Sequence, residues 1–192
     1  NVQKPINTYC MTKLLIEMAM RDLAQKDMMD FVVFRYFNAA GCSSDSEIGE
    51  NHEPETHLIP NIIKAHLAGE TGTFRLLGDQ YPTRDGSCIR DYIHVDDLAQ
   101  AHFDGYRFIE SNSGFNDFNL GSENGSSVKE VITAFEKISN SKLNVEVAPP
   151  RAGDPPSLVS NSAKAREVLN FKPKFSLEDS IEHTLNFFKA NK

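Results

Sequence analysis

Two residues near the start of the sequence suit proton transfer by type and by spacing. Tyr9 and Lys13 stand four positions apart in PINTYCMTK, and one helical turn puts side chains at that spacing on the same face. An ammonium held beside a phenol favours the phenolate. Such a tyrosine can take a proton from a substrate hydroxyl while a hydride leaves the same carbon. With five Tyr and twelve Lys in 192 residues, chance alone gives about 0.3 YxxxK matches. The pair by itself therefore reads more simply as a solvated helix edge. Arg90, in GDQYPTRDGSCIRDYIHVDDLA (Gly78 to Ala99), and Arg151, in APPRAGDPPSLV, taken alone read as solvated surface arginines, although a planar guanidinium fork can bond two oxygens of an anion at once.

These side chains need elements to hold them. Residues 9–26 follow a helical pattern in which Leu14, Leu15, Ile16, Met18, Ala19, Met20 and Leu23 cover more than one face, leaving Tyr9, Lys13, Glu17 and Arg21 on a narrow polar stripe. That pattern predicts a helix buried on two sides. FVVFRYF (Phe31 to Phe37) reads as a buried strand. Residues 38–55 read as a loop, and 58–68 as a helix with Thr56 as N-cap. Short strands are expected at 74–78, 92–95, 117–121 and 143–148. Helices are expected from Asp96 or Asp97 to Ile109, at 128–138 behind a Ser127/Glu130 capping box, at 163–169, and at 177–189 capped by Ser176. Alternating strands and helices indicate an α/β fold with several parallel strands.

Composition narrows the function. The net charge of −7 argues against nucleic acid as a partner, which needs a basic face, yet leaves room for a local basic pocket. No run of 18 apolar residues suggests a membrane span, and no signal peptide is visible. The chain starts with Asn, so an upstream segment is expected. Cys10, Cys42 and Cys88 form no CxxC pair and indicate neither zinc nor disulfides. A reducing, cytoplasmic setting is expected. No His, Cys or Asp grouping has metal-ligand spacing, so no metal is expected.

The run from Gly78 to Ala99, together with YCMTKLLIE, RYFNAAG, IGE, HLIP, NLGS and APPRAGDPPSLV in this order, resembles the C-terminal part of the UDP-galactose (UDP-glucose) 4-epimerases, extended short-chain dehydrogenases/reductases. The resemblance covers essentially all 192 residues. It implies the C-terminal part of an NAD-binding Rossmann-like domain (1–50 and 88–125) plus a smaller α/β domain for the UDP-sugar (51–87 and 126–192). It makes Tyr9 and Lys13 catalytic, and places them with Tyr36 on the NAD side. Asn38, Arg90 and Arg151 match residues that contact the UDP-sugar phosphates, Asp154 one near the ribose, and Tyr92 one facing sugar or phosphate. His57 and Leu58 match positions beside sugar and uracil. Phe74, Arg75 and Leu77 lie where the family holds the uracil. His94 is read as structural.

The chain departs from the pattern in two places. Cys10 stands where Gly is commoner. Leu158 stands where the family sets the width of the sugar pocket, leaving N-acetylated sugars open. The glycine-rich βα turn expected for NAD does not occur in the sequence, so these residues alone are expected to be inactive. The expected reaction is interconversion of UDP-glucose and UDP-galactose through a 4-keto sugar, in a homodimer joined along the Tyr9 helix. Alternatives are 4-epimerisation of UDP-N-acetylhexosamine, UDP-pentose or UDP-glucuronate, a 4,6-dehydratase, or a nucleotide-sugar-binding fragment without catalysis.

Overall fold

Arginine at the centre of an otherwise apolar strand needs a partner, and that need decides how the first helix docks. The computed structural model describes Gln3, Pro5 and residues 7–191; the outermost ends of the expected domains, at 1 and 192, lie outside them. Helix α1 (Thr8–Gln25) starts at Asn7, whose side chain accepts from the Cys10 N–H. Strand β1 (Phe31–Tyr36) follows after a short turn and pairs in parallel with β5 (Phe115–Leu120). Arg35 of β1 donates Nε to Glu17 Oε1 at 2.7 Å and Nη2 to Glu17 Oε2 at 2.5 Å and to Asp117 Oδ2 at 2.6 Å. Lys164 donates to the other oxygen of Asp117.

This network changes the expected orientation of α1. Glu17 and Ala24 are its only buried residues among those described, while Leu15 is 55 % exposed and Met11, Ile16 and Met18 are also open. Of the polar stripe, Glu17 faces the sheet and Arg21 lies over the Phe115 ring, while Tyr9, Lys13 and much of the apolar surface are open. A helix buried on both sides is not what these residues form.

Past Phe37 the chain extends as β2 (Asn38–Ala40), a segment read from the sequence as loop, and pairs in parallel with β4 (Ile89–His94). Strand β4 also pairs antiparallel with β6 (Gly125–Ser127) and parallel with β8 (Ser157–Leu158). Strands β3 (Phe74–Leu77) and β7 (Val145–Ala148) form a separate parallel pair. The remaining helices are α2 (Leu58–Leu67), α3 (Val95–Ile109), α4 (Val128–Ser139), α5 (Ala163–Leu169) and α6 (Leu177–Ala190). None of the described helices is long and apolar enough to cross a membrane. The three cysteines are free.

Two cores form. One gathers Ile59, Ile62 and Ile63 of α2, Phe74 and Leu76 of β3, Val131, Ile132 and Phe135 of α4, and Ile181 and Leu185 of α6. The other gathers Ile93, Leu98 and Ala101, Phe118 and Leu120, and Ala165, Leu169 and Phe171. The Ser127/Glu130 capping box is present, as is one of Ser176 with Asp179. Two caps differ from expectation. Helix α2 starts after His57 rather than Thr56, because Glu55 Oε1 already accepts the N–H groups of both Thr56 and His57. Helix α3 is capped by His94, whose Nδ1 accepts from the Asp96 N–H at 3.0 Å, and not by Asp96 or Asp97. Asp97 is buried instead, accepting from the backbone of Lys174 and Phe175.

The tie between the layers is Asp91. Fully buried on β4, it accepts from the Ser122 N–H at 2.8 Å, the Ser122 hydroxyl at 2.7 Å, and the N–H groups of Glu123 and Ser160 at 3.0 Å each. Gly121 has to be glycine here, since a Cβ would lie 2.4 Å from both Asp91 Oδ2 and Ser160 Oγ. Replacing Asp91 by Ala strands several buried donors. The expected loss is about 3 kcal/mol of unfolding free energy, measured as the shift in the urea midpoint; a loss below about 1 kcal/mol contradicts this role.

Candidate functional site

The strand that begins at Phe31 changes partner part-way. Up to Tyr36 it pairs with β5, the Phe37 N–H bonds the Leu120 carbonyl at 3.1 Å, and from Asn38 it pairs with β4. The divergence opens a crevice beyond the carboxyl ends of parallel strands, the usual ligand position in open α/β sheets. A cleft of about 580 Å³ lies there.

Strand alternation selects which side chains reach it. On β4, Arg90 and Tyr92 line the cleft, while Asp91 and Ile93 are buried on the other face. On β3, Arg75 and Leu77 are exposed toward it and Leu76 enters the core, while Phe74 is buried in the core and also lines the cleft. Asn38, His57, Leu58, Arg151 and Asp154 complete the expected set. Sequence reasoning missed Glu50, Asn61, Cys88 and Thr184, which also line it. Glu50, Asn61 and Cys88 stand in or beside the quoted motifs, and Thr184 carried no such signal.

The cleft carries three arginines, Arg75, Arg90 and Arg151, against the carboxylates of Glu50 and Asp154, a local positive excess in a chain of net charge −7. Arg90 is mostly buried. Its Nη1 donates to the carbonyls of Ile89 and Pro155 at 2.8 Å each, and its Nη2 lies 3.6 Å from Asp154 Oδ2. Burial pushes the Tyr92 phenol far above its ordinary range, so it stays a neutral donor. Leu158 does not line the cleft. It pairs across β4 with Arg90 and is 47 % exposed.

The GDQYPTRDGS run that makes the motif specific is mostly scaffolding. Asp85 accepts from the Ser87 N–H and hydroxyl and from the Ser127 hydroxyl, Thr83 donates to the Ser87 carbonyl, and Lys129 reaches the Asp85 carbonyl. This knot fixes the turn against α4 and delivers Arg90. His94 fits its structural reading. It stacks on Phe175 at 4.2 Å, pairs through Nε2 with His183, and burial lowers its basicity.

Tyr9 and Lys13 stand apart from the cleft lining. They share a helix face, with Lys13 Nζ 5.2 Å from the Tyr9 ring centroid, and Tyr9 is 69 % exposed. Helix α1 runs back along β1, with Glu17 level with Arg35. Tyr9 precedes Glu17 by eight residues, about 12 Å along the axis, toward the same strand ends from which Asn38 emerges. Tyr36 is half-exposed, and its hydroxyl meets His102 Nε2 at 2.6 Å. The His102 Nδ1 contact to the Leu98 carbonyl at 2.7 Å makes Nδ1 the donor, so Nε2 accepts from Tyr36.

The family profile described as GDP-mannose 4,6 dehydratase matches residues 1–184. The chain belongs to that family. Within it, the resemblance read from the motifs is borne out. A UDP-glucose 4-epimerase of Halalkalibacterium halodurans is 44 % identical over 188 residues, which make up 97 % of this chain and 56 % of the relative. The structure is similar to UDP-glucose 4-epimerase from Brucella ovis in complex with NAD (40 % identity, TM-score 0.90, covering 98 % of this chain and 58 % of that one). It is also similar to UDP-glucose 4-epimerase from Bifidobacterium longum in complex with NAD+ and UDP (33 % identity, TM-score 0.93, 100 % and 57 %). The chain thus spans about half the length of the relatives it matches.

One cluster beside the cleft was not foreseen. Glu50, His52, Glu55 and His57 bring ligand-type atoms within 4.8 Å of one another. In sequence they are two Glu-x-His pairs separated by Glu53 and Pro54, a spacing that resembles no common metal motif.

The docking of α1 predicts an acid response. Hydrogen bonds from Arg35 hold Glu17 below the ordinary carboxylate range. Asp117 is raised by burial but lowered more by Lys164 and Arg35, and ends below that range too. Groups with depressed folded values stabilise above their unfolded values, near pH 4, and lose that contribution as pH falls through the folded ones. Arg35→Met is therefore expected to cost about 2 kcal/mol at pH 7. The gap from the unmodified chain should shrink below about pH 4, read from urea unfolding at each pH; a gap independent of pH contradicts the network's role.

Proposed function

We propose that the whole protein is an NAD-dependent 4-epimerase interconverting UDP-glucose and UDP-galactose through a 4-keto sugar. The observation that carries this reading is the cleft, which gathers ten of the eleven residues expected to hold a UDP-sugar: Asn38, His57, Leu58, Phe74, Arg75, Leu77, Arg90, Tyr92, Arg151 and Asp154. In this reading Arg90 and Arg151 grip the diphosphate from two sides and Asn38 adds a third contact. Asp154, now beside Arg90, turns to the ribose. Leu77 and Leu58 give the uracil an apolar wall. With the diphosphate fixed, only the sugar turns, presenting either face.

The chemistry falls to Tyr9 and Lys13. Their shared helix face at the carboxyl edge of the strands fits a nicotinamide neighbour, with Lys13 favouring the phenolate. Tyr36 fits less well, since its hydroxyl is engaged by His102. NAD, when bound, supplies hydride acceptor and donor. Tyr9 takes the proton of the 4-hydroxyl and returns it after the sugar has turned. The 192 residues contain no glycine-rich turn to cradle a dinucleotide, so in this reading they bind the UDP-sugar but turn over only with further residues. We assign 1–50 and 88–125 to the dinucleotide side and 51–87 and 126–192 to the sugar-nucleotide side, with α5 packed on the core of the former. The exposed apolar face of α1 is assigned to a second copy of the protein.

The open side chain of Leu158 favours a second reading in substrate range, with UDP-N-acetylhexosamines also accepted. Comparing kcat/KM for the acetylated and plain sugars decides between the two.

Two measurements test the function. By calorimetry, this chain should bind UDP, and Arg90→Ala and Arg151→Ala should each weaken binding by at least about tenfold; unchanged affinity removes the cleft from the account. In the whole protein, Tyr9→Phe should lower kcat by about a hundredfold or more while UDP affinity holds. Brisk turnover by Tyr9→Phe, or by the 192 residues with added NAD, contradicts the assignment.

A further inference from the structure

We propose that Glu50, His52, Glu55 and His57 bind one divalent cation of the zinc class at the rim of the cleft. Four ligand-type atoms, two imidazole nitrogens and two carboxylate oxygens, lie within 4.8 Å of one another. His52 Nδ1 is 2.5 Å from Glu50 Oε1, His57 Nδ1 contacts the same oxygen, and His57 Nδ1 is 3.0 Å from Glu55 Oε1. The two rings lie 5.2 Å apart, centre to centre. A mixed nitrogen and oxygen set of four donors suits a tetrahedral borderline cation better than a hard one, which would take oxygens alone.

The observation that points to a cation rather than to ion pairs is Glu55. Its side chain is 3 % exposed, yet Oε2 is buried without a hydrogen-bond partner. Its nearest cation, Lys64 Nζ, is 3.9 Å away and donates to the His52 carbonyl. Protonated imidazoles would account for the contacts of Glu50, but they leave that oxygen without a hydrogen bond and with only the long ion pair to Lys64, which is costly in a buried position. A cation taken by the carboxylate of Glu55 compensates it and holds the neutral imidazoles together without charging them. The site would clamp residues 50–57 onto the N-terminus of α2. Glu50 and His57 also line the cleft, so the clamp fixes one of its walls. This inference stands on the cluster alone and does not depend on the proposed reaction.

Competition titration of Zn2+ against a chromogenic chelator, using the full 192-residue chain, tests it. One ion per chain is expected. His52→Ala and Glu55→Gln should each weaken binding by at least tenfold, since outer-shell losses already cost about 10–100-fold, while Glu70→Gln on the exposed turn after α2 should not. Absence of stoichiometric binding, or equal affinity in His52→Ala and Glu55→Gln, overturns the proposal. Should those variants fail to fold, Co2+ added to the unmodified chain carries the test. Intense visible bands of a tetrahedral site support the clamp, and the pale spectrum of the hydrated ion refutes it.

Discussion

One buried carboxylate holds the site together. Asp91 draws two chain segments to β4, the turn at 122–123 and the stretch just past β8 at Ser160. The last of these returns the 151–158 segment to lie along β4, so that the Pro155 carbonyl meets Arg90. Because neighbouring strand residues face opposite ways, burying Asp91 on one side presents Arg90 and Tyr92 on the other. Anchor and ligand-facing residues are thus one positional decision, written in the tripeptide Arg90-Asp91-Tyr92.

The same economy runs through the longest motif. Thr83, Asp85, Ser87, His94 and Asp97 spend their side chains inside the protein, and few of its residues face the cleft. A sequence signature that identifies a binding family is here chiefly a signature of the frame. Charge follows the same division. The acidic chain gathers three arginines against two carboxylates where the strands diverge, which suits a small anion.

Much of the frame was legible because its signals are local. The capping box at Ser127, the cap at Ser176 and the existence of the strand at Phe31 follow from short-range chemistry and hydrophobic period, although that strand is only half-buried. What was not legible depended on distant partners. Strands β2, β6 and β8 are two or three residues long, too short to show a period. Glu17 looked like part of an outward polar stripe because its partner, Arg35, lies 18 positions on. Thr56 looked like a cap, but the helix starts one residue later, after His57, and Glu55 accepts the N–H groups of Thr56 and His57 just ahead of it. The candidate cleft was legible through motif resemblance for nearly all its expected members. Leu158 fell outside it because lateral pairing with Arg90, which no local pattern encodes, decides where that side chain stands.

The most direct test of the central claim is a crystal structure of this chain soaked with UDP. The account predicts the diphosphate between Arg90 and Arg151, with Arg90 drawn off Asp154 and the uracil against Leu77. UDP bound elsewhere, or a guanidinium of Arg90 still held by Asp154 and the Pro155 carbonyl beside an empty cleft, would contradict it.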